Sequence, residues 1–236
     1  MLCKIADLIV EVPEAGGMAP RCGDYLYADA ESPDIVIDPS RYDRSRFSGQ
    51  APESLVAYME SGRQFHAKLL QFDGFYLHSS AVEVDGKAYL FSGDSGVGKS
   101  THVGLWQQLL GDQVCRFNDD KPALRFIEGH WYAYGTPWCG KDGINKNRKV
   151  PLAGICFLKQ GQENKIRRMP AYEAVPNLIR QTIHRFQSPD RLNLMLSHLD
   201  RLVRNIPIYE LVNLPEVEAA QLSYETMRHG AEEVGL

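Results

Sequence analysis

The chain has 236 residues, of which 44% are hydrophobic, and its 26 basic and 30 acidic side chains leave a net charge of -4. That length and apolar content support one sizeable core, and the charge balance excludes a global field that would attract nucleic acid or an anionic membrane. Any affinity for phosphate must be local.

No run reaches the roughly 18 apolar residues of a membrane-spanning helix, and "MLCKIADLIVEVPEAGG" is too acidic for a secretory signal, so a cytoplasmic protein is expected. The five cysteines (Cys3, Cys22, Cys115, Cys139, Cys156) are odd in number and form no Cys-x-x-Cys pair, which predicts reduced thiols rather than a disulfide framework or a zinc site.

In chain order, residues 1–50 offer short strands, "LIVEV" and "DIVIDP", separated by Gly- and Pro-rich turns, and read as a small β-rich layer. A helix is predicted from Pro52, with Leu55, Val56, Met59, Phe65 and Leu69 at helical spacing and Gly62 a weak point. Asp73-Gly74 ends it. "FYLHSSAVEV", a turn at Asp85-Gly86 and "KAYLFSG" then read as a hairpin that delivers the chain into a glycine-rich loop. An amphipathic helix carrying Val103, Trp106, Leu109 and Leu110 follows and stops near Gly111. "QVCRFN" reads as a strand, although Arg116 and Asn118 interrupt its apolar run. "PALRFIEGHWYAYG" reads as a hairpin turning at Glu128-Gly129, and "PLAGICFL" as a buried strand. Residues 170–236 are mostly helical, with a helix capped by Ser188 and Pro189, a strand "IPIYELV", and a helix from about Pro215 to Gly230. With no repeat or long linker, residues 1–236 are expected to form a single unit of the α/β class around a nucleotide-binding core at 75–160.

The segment Gly93, Asp94, Ser95, Gly96, Val97, Gly98, Lys99, Ser100 matches the phosphate loop G-x-x-x-x-G-K-[ST] between an apolar strand and an amphipathic helix. Glycines let backbone N–H groups converge on a phosphate at a helix N-terminus. Lys99 would bridge the β- and γ-phosphates, Ser100 would bind Mg²⁺, and Thr101 closes the ATP-binding run. Downstream, Asp119 and Asp120 follow a strand. Adjacent carboxylates beside a phosphate loop can divide two tasks: one holds Mg²⁺, and the other takes a proton from an attacking hydroxyl. His78 lies on the strand leading to the loop, within reach of the γ-phosphate.

Taken together, "LHSSAVEVDGKAYLFSGDSGVGKS" followed by "NDD" resembles the C-terminal catalytic domain of HPr kinase/phosphorylase, and more distantly ATP-dependent phosphoenolpyruvate carboxykinase, over about residues 75–160. The resemblance implies a P-loop kinase domain with a β-rich N-terminal part and a helical C-terminal part. It implies His78 close to the transferred phosphate, Asp120 as general base, Asp119 as its electrostatic or metal partner, and Ser100 as a metal ligand. The chain departs from that family at "YGTPWCGKDGINKNRK", where the family carries a Glu-Val-Arg-Gly-Leu-Gly type segment. It also lacks the family's large N-terminal domain and capture-loop arginine, so HPr is not the expected substrate. The "GTPW-x-GK" style is more similar to small HPr-kinase-like proteins that phosphorylate serine, free or in a peptide.

The loop "GTPWCGKDGINKNRK" sets Lys141, Lys146, Arg148 and Lys149 against Asp142 alone. It is expected to fold over the γ-phosphate and the acceptor, with Lys141 countering transition-state charge; a solvated hairpin is the plain alternative. Arg167 and Arg168 read as surface residues approaching a helix, His102 as facing solvent or packing on its helix, and His184 and His198 as helical residues without metal-ligand spacing. The stripe of residues 192, 195, 199 and 202 is core or the seam of a homo-oligomer. The expected activity is ATP- and Mg²⁺-dependent transfer to a hydroxyl acceptor: serine, a peptide or a small alcohol. A nucleotide hydrolase or switch and a non-catalytic ATP-binding partner are the alternatives.

Overall fold

A computed structural model describes residues 1–14, 16–29, 31–182 and 188–235. The N-terminal layer is β1 (Leu2–Ile5), β2 (Leu8–Glu11) and β3 (Ile35–Val36), in that order across a three-stranded sheet. β1 was not foreseen: it pairs antiparallel with β2 through a turn whose Ala6 and Asp7 adopt left-handed φ of 53° and 58°. This layer shares a core with the rest of the chain, because Cys3, Ile5, Val10 and Ile35 pack in one cluster with Phe65, Leu69, Tyr134 and Trp138.

Helix α1 (Glu53–Leu69) runs unbroken through Gly62, where a Cβ would stand 2.9 Å from the Trp138 ring. The glycine admits an indole and does not weaken a turn. Val56, Phe65 and Leu69 are buried as the periodicity requires, but Leu55 and Met59 are exposed.

The main sheet comprises β4 (Gly74–Tyr76), β5 (Ser79–Val84), β6 (Lys87–Ser92), β7 (Cys115–Asn118), β8 (Ala123–Ile127), β9 (His130–Tyr134), β10 (Lys149–Gln160), β11 (Lys165–Arg168) and β12 (Ile208–Asn213). Its path runs β4-β8-β9-β10-β6-β5-β7, with β12 pairing β10 and β11 pairing β12. The predicted turns hold: Asp85-Gly86 and Glu128-Gly129 have φ of 51°/71° and 51°/88°, the geometry of two-residue hairpins. β10 pairs antiparallel with β9 through residues 149–151, passes a register shift between Leu152 and Gly154, and continues parallel to β6 and β12.

Along β6 the side chains alternate. Ala88 and Leu90 join the core under α3 (Ala171–Arg180) and α4 (Pro189–Asn205), while Tyr89 and Phe91 join the core under α2 (Lys99–Leu110) and α5 (Val217–Glu233). The central strands are therefore apolar on both faces. Ser188 caps α4, its Oγ accepting from Arg191 N. Met195, Leu199 and Leu202 are core, while Leu192 is exposed. α5 runs past the expected stop at Gly230, which is glycine because a Cβ there would lie 1.8 Å from the Tyr209 hydroxyl. Arg167 and Arg168 are exposed, as expected, and end strand β11 just before α3; Arg167 bridges Glu210 and Glu173. His184 lies outside the described residues. No helix among the described residues is long and apolar enough to cross a membrane.

His102 packs instead of facing solvent. It is 1% exposed, its Nε2 is 2.9 Å from Ser223 Oγ, and burial pushes it down to about 4. Burial likewise holds His66 well below the ordinary range. Histidines held neutral in the fold contribute stability that is complete above about pH 6.5 and is lost as pH falls toward 4, since the unfolded chain takes up the proton first. At about 1.4 kcal/mol per pKa unit, His102 alone should cost ~2 kcal/mol between pH 7.5 and pH 5. Urea unfolding at the two pH values should show this loss, and His102→Gln should reduce it; equal slopes in variant and parent would contradict the assignment.

Candidate active site

Each functional side chain sits where an element ends. The phosphate loop joins β6 to α2, and Gly93, Gly96 and Gly98 take φ of 140°, 81° and 108°, which side chains with a Cβ rarely adopt. Lys99 opens α2 and folds back over the loop, its Nζ donating to Gly93 O at 2.9 Å and Asp94 O at 3.1 Å. Burial lowers the Lys99 ammonium, and the carboxylates of Asp120 and Asp94 oppose that shift. Ser100 and Thr101 occupy the first turn of α2, half-buried and exposed respectively.

His78 owes its position to a break that the sequence did not reveal. The stretch read as one strand is two: β4 pairs with β8 and β5 with β6 and β7, and Leu77 and His78 fall between them. There the backbone changes partners, Leu77 N donating to Pro122 O, His78 N to Gln181 O and Ser79 N to Asp120 O.

The paired carboxylates are separated by Asn118. This buried residue accepts Asp120 N (3.1 Å) and Lys121 N (2.8 Å) on Oδ1 and donates to Thr136 O (3.0 Å), so an Asx turn bends the chain out of β7. Asp119 is turned toward the loop at 135–149, accepting Gly140 N at 2.6 Å and Asp142 N at 3.0 Å. Burial raises its carboxyl in spite of those bonds. Asp120 faces the phosphate loop's side: its Oδ1 is 3.3 Å from His78 Nε2, and its Oδ2 meets the Lys121 ammonium and lies 3.5 Å from the Tyr58 hydroxyl. Burial would lower the Lys121 ammonium, but Asp120 and Tyr58 outweigh it and carry it upward.

Gln181, at the end of α3, ties these parts together. Its Nε2 donates to Asp94 Oδ1 at 3.0 Å, which fixes the amide so that Oε1, 3.0 Å from His78 Nδ1, is an acceptor. His78 therefore carries its proton on Nδ1. Burial first and the Lys99 charge second hold His78 below its ordinary value, against the pull of Gln181 and Asp120. Neutral His78 Nε2 and Asp120 Oδ1 then confront each other as two acceptors, a pair able to share one added proton. Gln181→Leu should move the His78 ring proton to Nε2, visible in the ring nitrogen shifts of ¹⁵N-labelled protein; an unchanged tautomer would refute this network.

The loop at 135–149 is pinned rather than free to fold over a ligand. Trp138 is fully buried, stacked on Phe65 with centroids 4.7 Å apart, and donates to Ser61 Oγ at 3.0 Å. Tyr25 Oη donates to Asn145 O, and Asn145 Nδ2 to Arg21 O. Arg148 is spent on Glu83 and Lys149 on Asp7, and Lys146 Nζ contacts Cys115 Sγ. Lys141 is exposed, with no carboxylate within 4 Å among the described residues.

Two cavities flank the constellation. The first, about 460 Å³, is lined by 93–97, by Phe157 to Gln160 at the end of β10, and by Asn177, Arg180 and Gln181. The second, about 550 Å³, is lined by Arg21, Tyr58, Asp120, Lys121, Cys139 and Lys141 among others. They share no lining residue, and His78 lies against a wall of each, hydrogen-bonded to Gln181 in one and 3.3 Å from Asp120 Oδ1 in the other.

Among the described residues no three His, Cys, Asp or Glu side chains converge on a metal position. A phosphate-bound Mg²⁺ needs only one or two protein oxygens, so a hydroxyl at Ser100 and a neighbouring carboxylate suit it chemically. Tyr58, Lys121, Arg180 and Gln181 were not singled out from the sequence; Asn118 was noted as a break in the strand and as part of "NDD", and Lys121 adjoins the same aspartates.

No protein-family model matches the chain, and no curated protein matches it. Among solved structures it is similar to the Hpr(Ser) kinase/phosphatase from Coxiella burnetii, with a TM-score of 0.38 and 10% identity over 68% of this chain and 99% of that one.

Proposed function

We propose that the protein is an ATP-dependent kinase that transfers the γ-phosphate to a hydroxyl acceptor such as serine or another small alcohol. The observation that carries this reading is the position of His78 between a wall of the phosphate-loop cavity and the Asp120 carboxylate of a second cavity. A switch or hydrolase needs one ligand cavity and a positioned water; two cavities linked through His78, one of them lined by a carboxylate, suit a donor and an acceptor.

In this reading the backbone of 93–98 and Lys99 hold the phosphates, and Asp120 accepts the acceptor's proton, with His78 sharing it. The acceptor oxygen forms a bond to the γ-phosphorus, the bond from that phosphorus to the β,γ-bridging oxygen breaks, and ADP leaves with that electron pair. Mg²⁺, when bound, would neutralise phosphate charge, with the Ser100 hydroxyl as a protein oxygen; Asp119, expected as the second ligand, is instead engaged by the amides of Gly140 and Asp142 and sets the 135–149 loop. Lys141 stands among the residues of the second cavity and supplies positive charge there.

The test is calorimetric titration with ATP and Mg²⁺, followed by incubation with γ-labelled ATP and pools of metabolites and peptides. Micromolar to millimolar binding and label on an alcohol are expected. Release of free phosphate without a labelled alcohol would sink the kinase reading.

A further inference from the structure

The second cavity has a charge pattern that goes beyond a generic hydroxyl site. Arg21 is half-buried in its wall, its guanidinium 4.7 Å from the Tyr58 ring centroid and its Nη1 donating to Cys139 Sγ at 2.9 Å. Among the described residues no carboxylate lies within 4 Å of that guanidinium. Lys141, in the same wall, is likewise without a carboxylate partner. The Asp120 carboxylate is already met by Lys121. Thus two uncompensated cations flank the Asp120–Lys121 ion pair in a chain whose net charge is -4. A guanidinium packed over an aromatic ring in a cavity wall, tied through one nitrogen to Cys139, is positioned for a carboxylate or phosphate.

The volume of about 550 Å³ is that of a small-molecule site. Leu55 and Met59, one turn apart on α1 and exposed, line it too and can cover a short carbon skeleton. Resting on the kinase reading above, we propose that the acceptor is a small alcohol that also carries an anionic group, a hydroxy acid or a phosphorylated alcohol. Arg21 and Lys141 hold the anion, which leaves the hydroxyl directed at Asp120.

The test uses the whole protein with ATP, Mg²⁺ and matched acceptor pairs that differ in the anion: L-serine against L-serinamide, glycerate against glycerol, and glycerol 3-phosphate against glycerol. The anionic member of at least one pair is expected to be phosphorylated with a kcat/KM about tenfold or more above its neutral partner; which pair responds separates carboxylate from phosphate. Arg21→Met and, in the exposed loop, Lys141→Met should each reduce that preference toward unity through KM, and Arg21→Lys should keep part of it. Neutral members or a capped serine peptide labelled equally well would overturn the proposal, as would no labelling at all by protein that binds ATP. Failure to bind ATP in calorimetry would instead sink the nucleotide reading, and the acceptor proposal with it.

Discussion

An enzyme carrying Asp120→Asn is expected to bind ATP as tightly as the parent while transferring phosphate on the order of 10²–10⁴ times more slowly, the usual worth of a positioned general base. The amide keeps the size of the carboxylate and can still meet Lys121, but it cannot accept the proton of an incoming alcohol. It also changes the partner of His78: the amide can turn its NH₂ toward Nε2, so two acceptors become a donor and an acceptor. Single-turnover measurements at saturating ATP check this directly. A variant that transfers phosphate at the parental rate removes Asp120 from the chemistry. The converse change, Asp119→Asn, tests a different link, because Asp119 receives the amides of Gly140 and Asp142 and its loss should disturb the 135–149 loop first.

Lys99→Ala gives the contrasting pattern, with losses in both binding and transfer. The ammonium is positioned by the carbonyls of Gly93 and Asp94 in the loop itself, so no other side chain is ready to replace it. Affinity for ATP should fall by about tenfold or more, near 1.4 kcal/mol, and turnover by a further ~10²–10³, in line with losing a single charge stabiliser. The substitution has a second, independent sign. Lys99 is one of the groups that lower the His78 pKa, so removing its charge should raise that pKa, measurable by NMR titration of the ring without any nucleotide. A His78 titration that stays put would mean that the two groups do not share one electrostatic site.

How far the residues could be read in advance depended on whether a local pattern encoded them. The phosphate loop, the Asp85-Gly86 and Glu128-Gly129 turns and the Ser188 cap are determined by neighbours in sequence, and each is found where its pattern lies. The break at Leu77-His78 is not local: it exists because backbone groups of Pro122, Asp120 and Gln181 take over from a strand partner, and no spacing in "FYLHSS" announces that. Residues 170–236 read as mostly helical and α3 lies there, but nothing in "LIRQTI" marks Gln181, at its end, as the residue that ties Asp94 to His78. Tyr58 and Arg21 carry no sequence pattern of their own; they meet only because α1 and the N-terminal layer come together at Cys139. The cationic loop was legible as charge, yet half of its four cations are spent on Glu83 of β5 and Asp7 of the β1–β2 turn. Glycines 62 and 230 were misread in the same way: each looked like a local weakness and each is a tertiary fit, to Trp138 and to Tyr209.

β10 changes neighbours along its length without being interrupted. Its first residues continue the 135–149 loop that borders the second cavity, and its last four form a wall of the cavity at the glycine-rich loop. Enzymes that clamp two substrates between lobes need a compliant joint between the lobes, and a continuous hydrogen-bonded strand offers little compliance. On the kinase reading proposed above, donor and acceptor would stand on one strand of the sheet, so their spacing would follow from the fold and from the register shift between Leu152 and Gly154.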